Sequence, residues 1–416
     1  CFALKFMNED EEVTFKMMID AGAQRGPKER LEPYINDLIS YLGGQVDVLV
    51  ITHEHQDHVL AFHACKPIFK AGLQIDEVWF AWTEEDGDDK VEEWKEEYGK
   101  KKKALHKAFT ELKKLEKNKQ FMRQFQMHMN GGQDGGKAFK AHQHFVNALK
   151  TFDELHLDEK KYTGGLKGMR AVKEDLDVPK FQFLSQGKIL QNIKGLTGIN
   201  IYVLGPPNNW KEVKKEKGKG NEAYKHNKDL EIVRGYTNLF QEGGDALTNS
   251  CPFKSNYIKD PARKVKSAYT QQDHAWRRID HEWLYSSAKL ALRLNRGINN
   301  LSVVLAFEFD ASKRVMLFPG DAEIGSWESW HEVDWKDLEK HDEPPFINRL
   351  LTNTVFYKVA HHLSHNGTAK EKGLDLMTHP DLVAMATLDY DIISSTWTST
   401  MPNRGILKDL LEKTRG

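Results

Sequence analysis

Val46-Asp47-Val48-Leu49-Val50-Ile51-Thr52-His53-Glu54-His55-Gln56-Asp57-His58 is the stretch that decides the fold. Its first half, Val46–Ile51, is almost purely apolar and β-branched, the pattern of a strand covered on both faces. Its second half places His53, His55, Asp57 and His58 on a tight loop. In extended backbone the side chains alternate with period two, so His53 and His55 point the same way. The turn that follows brings Asp57 and His58 round to a neighbouring position. Imidazole combined with carboxylate suits Zn, Mn or Fe better than Mg or Ca. The plainer alternative, a polar surface loop rich in histidine, leaves unexplained why all these ligand types fall at the end of a core strand.

Upstream, Phe2–Phe6 and Thr14–Asp20 read as two strands of a hairpin across the acidic turn Asn8–Glu12. Leu31, Ile35, Leu38, Ile39 and Leu42 have helical spacing, and Gly43-Gly44 stops that helix. Downstream, Val78–Trp82 is a short strand. The chain then changes character from Glu84 to Pro179, a stretch rich in Lys, Glu, Gln and Phe. Helical runs are expected there over Val91–Met129 and Ala138–His156, broken at Gly131–Gly136. Strand texture returns at Phe181–Leu184, Lys188–Ile193 and Ile199–Leu204, followed by Gly205-Pro206-Pro207. A second polar stretch runs from Asn208 to Gly297. Leu301–Phe309, Val315–Phe318, Val355–Ala360 and Leu382–Leu388 give further strands, and a helix closes the chain near Ile406–Lys413. The expected organisation is therefore a layered α/β core from 1–83, 180–207 and 298–416, with a helical insertion at 84–179 and a second polar insertion at 208–297.

The 416 residues suffice for a large domain with insertions. Apolar residues make up 39% and charged residues 29%, which fits a core diluted by long polar segments. Lys+Arg (60) and Asp+Glu (61) cancel, so net charge points to no partner and any basic surface is local. Cys1, Cys65 and Cys251 are odd in number and far apart, suggesting neither a disulfide framework nor a zinc knuckle. A reducing cytoplasmic setting is expected. No apolar run approaches the ~18 residues of a membrane span, so no membrane partner is expected, and no secretory leader is visible. The chain opens on Cys1 inside a strand-like run, so we expect residues before it.

The His-x-His-x-Asp-His run after an apolar strand, preceded by Ile19-Asp20-Ala21-Gly22, resembles the metallo-β-lactamase superfamily. Val315–Phe318 leading into Pro319-Gly320-Asp321 resembles that family's Gly-Asp turn, and Tyr357-Lys358-Val359-Ala360-His361-His362 resembles the strand that ends in its last metal-binding histidine. Within the superfamily, Val78-Trp79, Leu204-Gly205-Pro206-Pro207, Asn299-Asn300-Leu301-Ser302 and Lys358-Val359-x-His361-His362 are similar to the lactamase-like domain of bacterial DNA-uptake (competence) channel proteins and its free-standing relatives. The likeness covers both ends of the chain and neither polar insertion.

That resemblance implies an αββα sandwich carrying two divalent metal ions, Zn or Mn. His53 and His55 would bind the first ion, Asp57, His58 and His361 the second, with Asp321 bridging and His362 in reserve. Two cations ~3.5–4 Å apart would share a hydroxide and clamp the attacked centre. Asp57 would also orient that hydroxide, and Asp20 would sit behind the ligand loop and hold it. His365 and Lys358 would face the substrate, one protonating a leaving oxygen and the other neutralising a phosphate. One departure stands out. Gly297-Ile298-Asn299-Asn300-Leu301-Ser302 lacks the third histidine that many members give the first metal. Asn299 or Asn300 could offer a carbonyl oxygen there, as could water, or His274 or His281 could substitute. Fewer nitrogens would shift preference from Zn towards Mn.

The implied activity is a metal-dependent phosphodiesterase or nuclease acting on DNA or RNA. Lys100–Lys103 and Lys211–Lys228 could supply backbone-binding charge, although these lysines alternate with Glu as on a solvated helical face. A small-molecule hydrolase for a lactone, thioester or lactam is the alternative. A third reading is a partner-gated effector whose insertions dock another protein.

Overall fold

A computed structural model of the chain describes residues 1–23, 28–96, 98, 100, 165–215, 297–335, 338, 343–364, 366–388 and 402–414. In chain order these form β1 (Phe2–Met7), β2 (Val13–Ile19), α1 (Lys28–Leu42), β3 (Gln45–Val50), α2 (Gln56–Ala64), α3 (Lys66–Gly72) and β4 (Gln74–Ala81). There follow α4 (Gly165–Arg170), β5 (Phe181–Leu184), β6 (Ile189–Leu190), β7 (Ile199–Gly205) and α5 (Trp210–Val213). The C-terminal part supplies β8 (Val304–Phe309), β9 (Val315–Phe318), α6 (Ile324–Trp330), α7 (Phe346–Thr352), β10 (Thr354–Lys358), β11 (Val383–Met385) and α8 (Arg404–Lys413).

The fold class is α/β, built on two mixed sheets. One has the order β1-β2-β3-β4-β5 and the other β11-β10-β9-β8-β7-β6. In the first, β1 and β2 are an antiparallel hairpin, and β2, β3, β4 and β5 run parallel. In the second, β6 to β9 are antiparallel, while β9, β10 and β11 are parallel.

Alternation along the strands decides which face meets what. In β3, Val48 and Val50 join Phe15, Met17, Ile19, Trp79, Ile201, Val203, Leu305, Phe307 and Phe318 in a core shared by both sheets. Leu49 and Ile51 point the other way, into a second core against residues of α1, α2 and α3, which Val46 joins from the start of the strand. The second sheet repeats the scheme: Tyr202, Val304, Ala306, Val315, Leu317 and Tyr357 pack outward on Trp327, Trp330, Phe346, Leu350 and Leu410 of α6, α7 and α8. Helices therefore cover the outer face of each sheet, and β3 is buried on both faces.

Two differences from the expected organisation concern this core. Strand β11 is only Val383–Met385, where Leu382–Leu388 was expected, and Val383 and Met385 are exposed at a sheet edge. Residues 165–176 belong to the core and not to the first insertion: Met169, Ala171, Val172 and Leu176 are buried in the cluster under α2. Gly165 and Gly168 make this possible. A β-carbon at Gly165 would collide with the Glu54 carbonyl, and one at Gly168 with the Val59 carbonyl. The backbone of α4 thus lies directly on the loop at Glu54 and on α2.

The chain divides into two units, one of residues 1–91, 163–222 and 296–416, the other of residues 92–162 and 223–295. Of the second unit only 92–96, 98 and 100 are described. The helical runs expected beyond those residues, and His274 and His281, lie outside the described residues. No helix among the described residues is long and apolar enough to cross a membrane.

Candidate metal centre

The parallel strands β2 and β3 end side by side, with Ile19 opposite Val50, and this places Asp20 beside Thr52. Asp20 takes a left-handed backbone (φ 55). Its carboxylate accepts from the Thr52 amide (2.8 Å), from Thr52 Oγ1 (2.7 Å) and from His58 Nδ1 (2.7 Å). Ala21 N–H donates to the His58 carbonyl at 2.7 Å, and Gly22 passes so close to the loop that a β-carbon would lie 2.5 Å from the Asp57 carbonyl. Asp20 therefore sits behind the ligand loop and fixes the ring of His58.

Asp321 arrives from the other sheet, in the turn after β9. Its amide donates to Ser302 Oγ (3.1 Å), which itself lies 3.4 Å from His53 Nδ1. His362 arrives from the loop after β10, and its Nδ1 donates to the Thr387 carbonyl at 2.6 Å, leaving Nε2 turned inward. The result is a buried group, Asp57, His58, Asp321 and His362, whose ligand atoms all lie within 4.8 Å of one another. This His/Asp cluster can hold a metal ion.

The distances inside it fit that chemistry. Asp321 Oδ2 lies 3.2 Å from His58 Nε2 and 3.2 Å from His362 Nε2, and Asp57 Oδ2 lies 3.1 Å from His362 Nε2. Two atoms bound to one ion at about 2.0–2.2 Å stand about 3 Å or slightly more apart. Both imidazole Nε2 atoms are buried, and neither is aligned for a hydrogen bond with those carboxylates. Buried polar atoms without a hydrogen bond are rare in folded proteins, and a bound cation would give both nitrogens a partner.

The electrostatics of the chain alone agree. Burial opposes charge on His58, yet Asp321, Asp20 and Asp57 push it up to about 9. His362 is likewise pushed up to about 10 against its burial, chiefly by Asp321. Burial works against the carboxylates as well, but His58 and His362 hold Asp57 below the usual carboxylate range, and these two with Lys358 hold Asp321 well below it. Protons on two imidazoles thus neutralise two buried carboxylates, which is the charge a cation would bring.

His53 and His55 stand next to this group. Their rings face each other, His53 Nε2 lying 2.9 Å from His55 Nδ1. Burial first, then His58 and His55, lowers His53 well below the ordinary histidine value, which favours its neutral ring.

Several expectations are revised by the geometry. Of the adjacent histidines, it is His362 that joins Asp57, His58 and Asp321, while His361 turns to Glu323. The reason is the backbone: His361, His362 and Leu363 all adopt left-handed φ (44, 48 and 63), which swings the second ring and not the first onto the carboxylates. Lys358 is not on the substrate side. It is buried, and its ammonium donates to the Gly320 carbonyl (2.7 Å) and to Asp321 Oδ1 (3.2 Å), so it is spent on holding Asp321. Asn300 offers no oxygen to a metal: its Oδ1 accepts from the amides of Glu323 and Ser326 at 3.1 Å each, and its Nδ2 donates to the Val213 carbonyl. Asn299 is fully buried, donates to Glu323 Oε1 at 2.7 Å and keeps Oδ1 without a hydrogen bond. His365 lies outside the described residues. Thr52, Ser302 and Glu323 were not singled out as site residues. Their only signals are adjacency: Thr52 directly precedes His53, and Glu323 follows Asp321 by two.

No protein-family model, curated protein or solved structure matches the chain.

Proposed function

We propose that this protein is a divalent-metal-dependent hydrolase of the metallo-β-lactamase kind, acting on phosphodiesters and most suited to DNA or RNA. The observation that carries the reading is the convergence of His58 Nε2, His362 Nε2 and the Asp57 and Asp321 carboxylates, contributed by both sheets, at ligand-to-ligand spacing without hydrogen-bond alignment. An α/β core of two sheets with helices on their outer faces supports the reading.

These four residues would hold one cation, and His53 and His55 border the place for a second. Zn or Mn fits this mixture of imidazole and carboxylate. When bound, such cations supply Lewis acidity and make a water nucleophilic at neutral pH. The chain's own residues do the rest. Asp20 and the Thr387 carbonyl lock the rings of His58 and His362, and Lys358 fixes one oxygen of Asp321 so that the other faces inward. Asp57, the outermost carboxylate of the set, is placed to accept a proton from water. Four carboxylates (Asp20, Asp57, Asp321 and Glu323) fall short of two divalent cations plus Lys358, and this surplus positive charge favours an anionic phosphodiester over a neutral lactam or lactone.

The test is a cleavage assay on single- and double-stranded DNA and RNA with Mn²⁺, Zn²⁺ or Mg²⁺, beside Asp57→Ala. Metal-dependent cutting that the variant loses is the expected result. A protein that holds metal but cuts no polymer would move the assignment to a small-molecule substrate or to a partner-gated enzyme.

A further inference from the structure

At Thr52, three side chains of the site meet one hydroxyl. Its Oγ1 lies 2.7 Å from Asp20 Oδ2, 3.1 Å from His53 Nδ1 and 3.1 Å from His58 Nδ1. A hydroxyl has one proton to give and two lone pairs with which to accept. Its partners decide where the proton goes. An ionised carboxylate only accepts, so the contact with Asp20 is a hydrogen bond only if Thr52 donates it. Asp20 is held in place for this contact, since it also accepts from the Thr52 amide (2.8 Å) and from His58 Nδ1 (2.7 Å). With its proton committed to Asp20, the Thr52 oxygen can only accept from His53. The facing nitrogen, Nδ1, then carries a proton whether the ring is neutral or charged.

A second hydroxyl approaches the same nitrogen from the other sheet. Ser302 Oγ lies 3.4 Å from His53 Nδ1 and accepts from the Asp321 amide at 3.1 Å. Neither contact fixes the proton of Ser302, which can turn to His53 or away from it. Ser302 therefore tolerates either tautomer of the ring, and Thr52 admits one. Thr52 is also hard to displace. It is buried, its carbonyl accepts from the Val303 amide at 2.9 Å, and a β-carbon on Gly320 would lie 3.2 Å from its own. The second nitrogen of His53, Nε2, is the one that lies 2.9 Å from His55 Nδ1. A partner behind one nitrogen of an imidazole is what commonly sets the tautomer and orientation of a metal-binding ring.

We propose that Thr52 is a positioning residue whose hydroxyl, committed to Asp20, fixes His53 as the Nδ1–H tautomer and leaves the lone pair on Nε2, the nitrogen facing His55. Asp20 then orients two histidines, His58 by direct contact and His53 through Thr52. The tautomer stands on these contacts alone. Its consequence for ion binding rests on the metal reading above.

The test locates the proton. Proton–nitrogen correlation spectra of chelated protein, labelled in its histidine rings and held at neutral pH, distinguish the two tautomers, and a His53→Gln spectrum assigns the ring. Wild type is expected to show Nδ1–H at His53. Thr52→Val, which keeps the shape and removes the hydroxyl, should bring in the Nε2–H form, and Thr52→Ser should restore the wild-type spectrum. Equilibrium dialysis against Zn²⁺ should show affinity weakened about 10–100-fold in Thr52→Val and regained in Thr52→Ser. An Nε2–H ring in wild type, or pure Nδ1–H retained in Thr52→Val, would overturn the proposal and leave the metal reading standing. Unchanged Zn²⁺ affinity in Thr52→Val would overturn the role in ion binding. Wild-type protein that binds no Zn²⁺ would remove the metal reading itself, with the tautomer still decided by the spectra. If Thr52→Val fails to fold by circular dichroism, Ser302→Ala decides: His53 keeps Nδ1–H there if Thr52 sets it, and the Nε2–H form overturns the proposal.

Discussion

Asp20 ties the ligand loop to the sheet. It is buried and accepts three hydrogen bonds, two from Thr52 and one from His58. Asp20→Ala leaves those donors without an acceptor, at a cost of about 1–3 kcal/mol for each buried group so stranded, and frees the His58 ring. We expect a lower urea midpoint and metal affinity weakened about 10–100-fold, read by denaturation and by equilibrium dialysis. Lys358→Met should act differently. It strands the Asp321 carboxylate and the Gly320 carbonyl, and breaking one side of a buried pair costs about 3–5 kcal/mol. Urea denaturation of metal-free protein checks this, and an unchanged midpoint would mean that Lys358 is not the partner of Asp321. Part of the His/Asp cluster was legible in the sequence, because coordination admits few residue types and the His-x-His-x-Asp-His run displays Asp57 and His58 together. What Lys358 does was not legible, since nothing in the order of residues says which way its ammonium turns. The division between His361 and His362 was equally hidden, because it depends on three successive left-handed residues that no propensity anticipates.

At the scale of elements, the sequence was most readable where burial acts on both faces of a strand. Val46–Ile51 had to be central, and β3 lies between β2 and β4 with both its faces in cores. The acidic turn between the first two strands likewise made the hairpin plain. Helices α2 and α3 escaped notice because α2 is buried nearly all round (His58 to Phe62), so its apolar residues show no face. The boundary of the core at 165–176 is set by a close approach that polar composition does not display: Gly165 and Gly168 allow α4 to touch the loop at Glu54 and α2. Gly168→Ala should therefore force the helices apart and cost about 1–3 kcal/mol, the usual penalty of overpacking. Thermal denaturation measures it. Because Gly165 abuts Glu54 in the ligand loop, Gly165→Ala should weaken metal binding as well. A variant with wild-type stability and affinity would show that this contact does not position the loop.

For the whole molecule, the account predicts how stability and metal binding follow pH. In metal-free protein His58 and His362 titrate at about 9 and about 10, above the ordinary 6.5. Groups raised in this way stabilise the fold fully below their ordinary value, and the contribution is lost as pH rises through about 9 to 10. Asp57 and Asp321 are lowered, so their contribution is present above the ordinary carboxylate range and is lost as pH falls below it. His361, lowered to about 4 by burial, penalises the folded state as pH falls from 6.5 towards 4. Stability of the chelated protein should thus peak near pH 6.5 and decline on both sides, as a urea-midpoint series would show. A cation entering the cluster must displace the protons of His58 and His362, so binding at pH 7 should release about two protons. Calorimetry in buffers of different ionisation enthalpy counts them, and a heat independent of buffer would contradict the charge state described.

The measurement that addresses the metal centre most directly is anomalous diffraction from crystals soaked with Zn²⁺ or Mn²⁺. The account predicts a peak within bonding distance, about 2.0–2.2 Å, of His58 Nε2, His362 Nε2 and carboxylate oxygens of Asp57 and Asp321. Crystals without a peak there, with both rings hydrogen-bonded directly to the carboxylates at saturating metal, would contradict it.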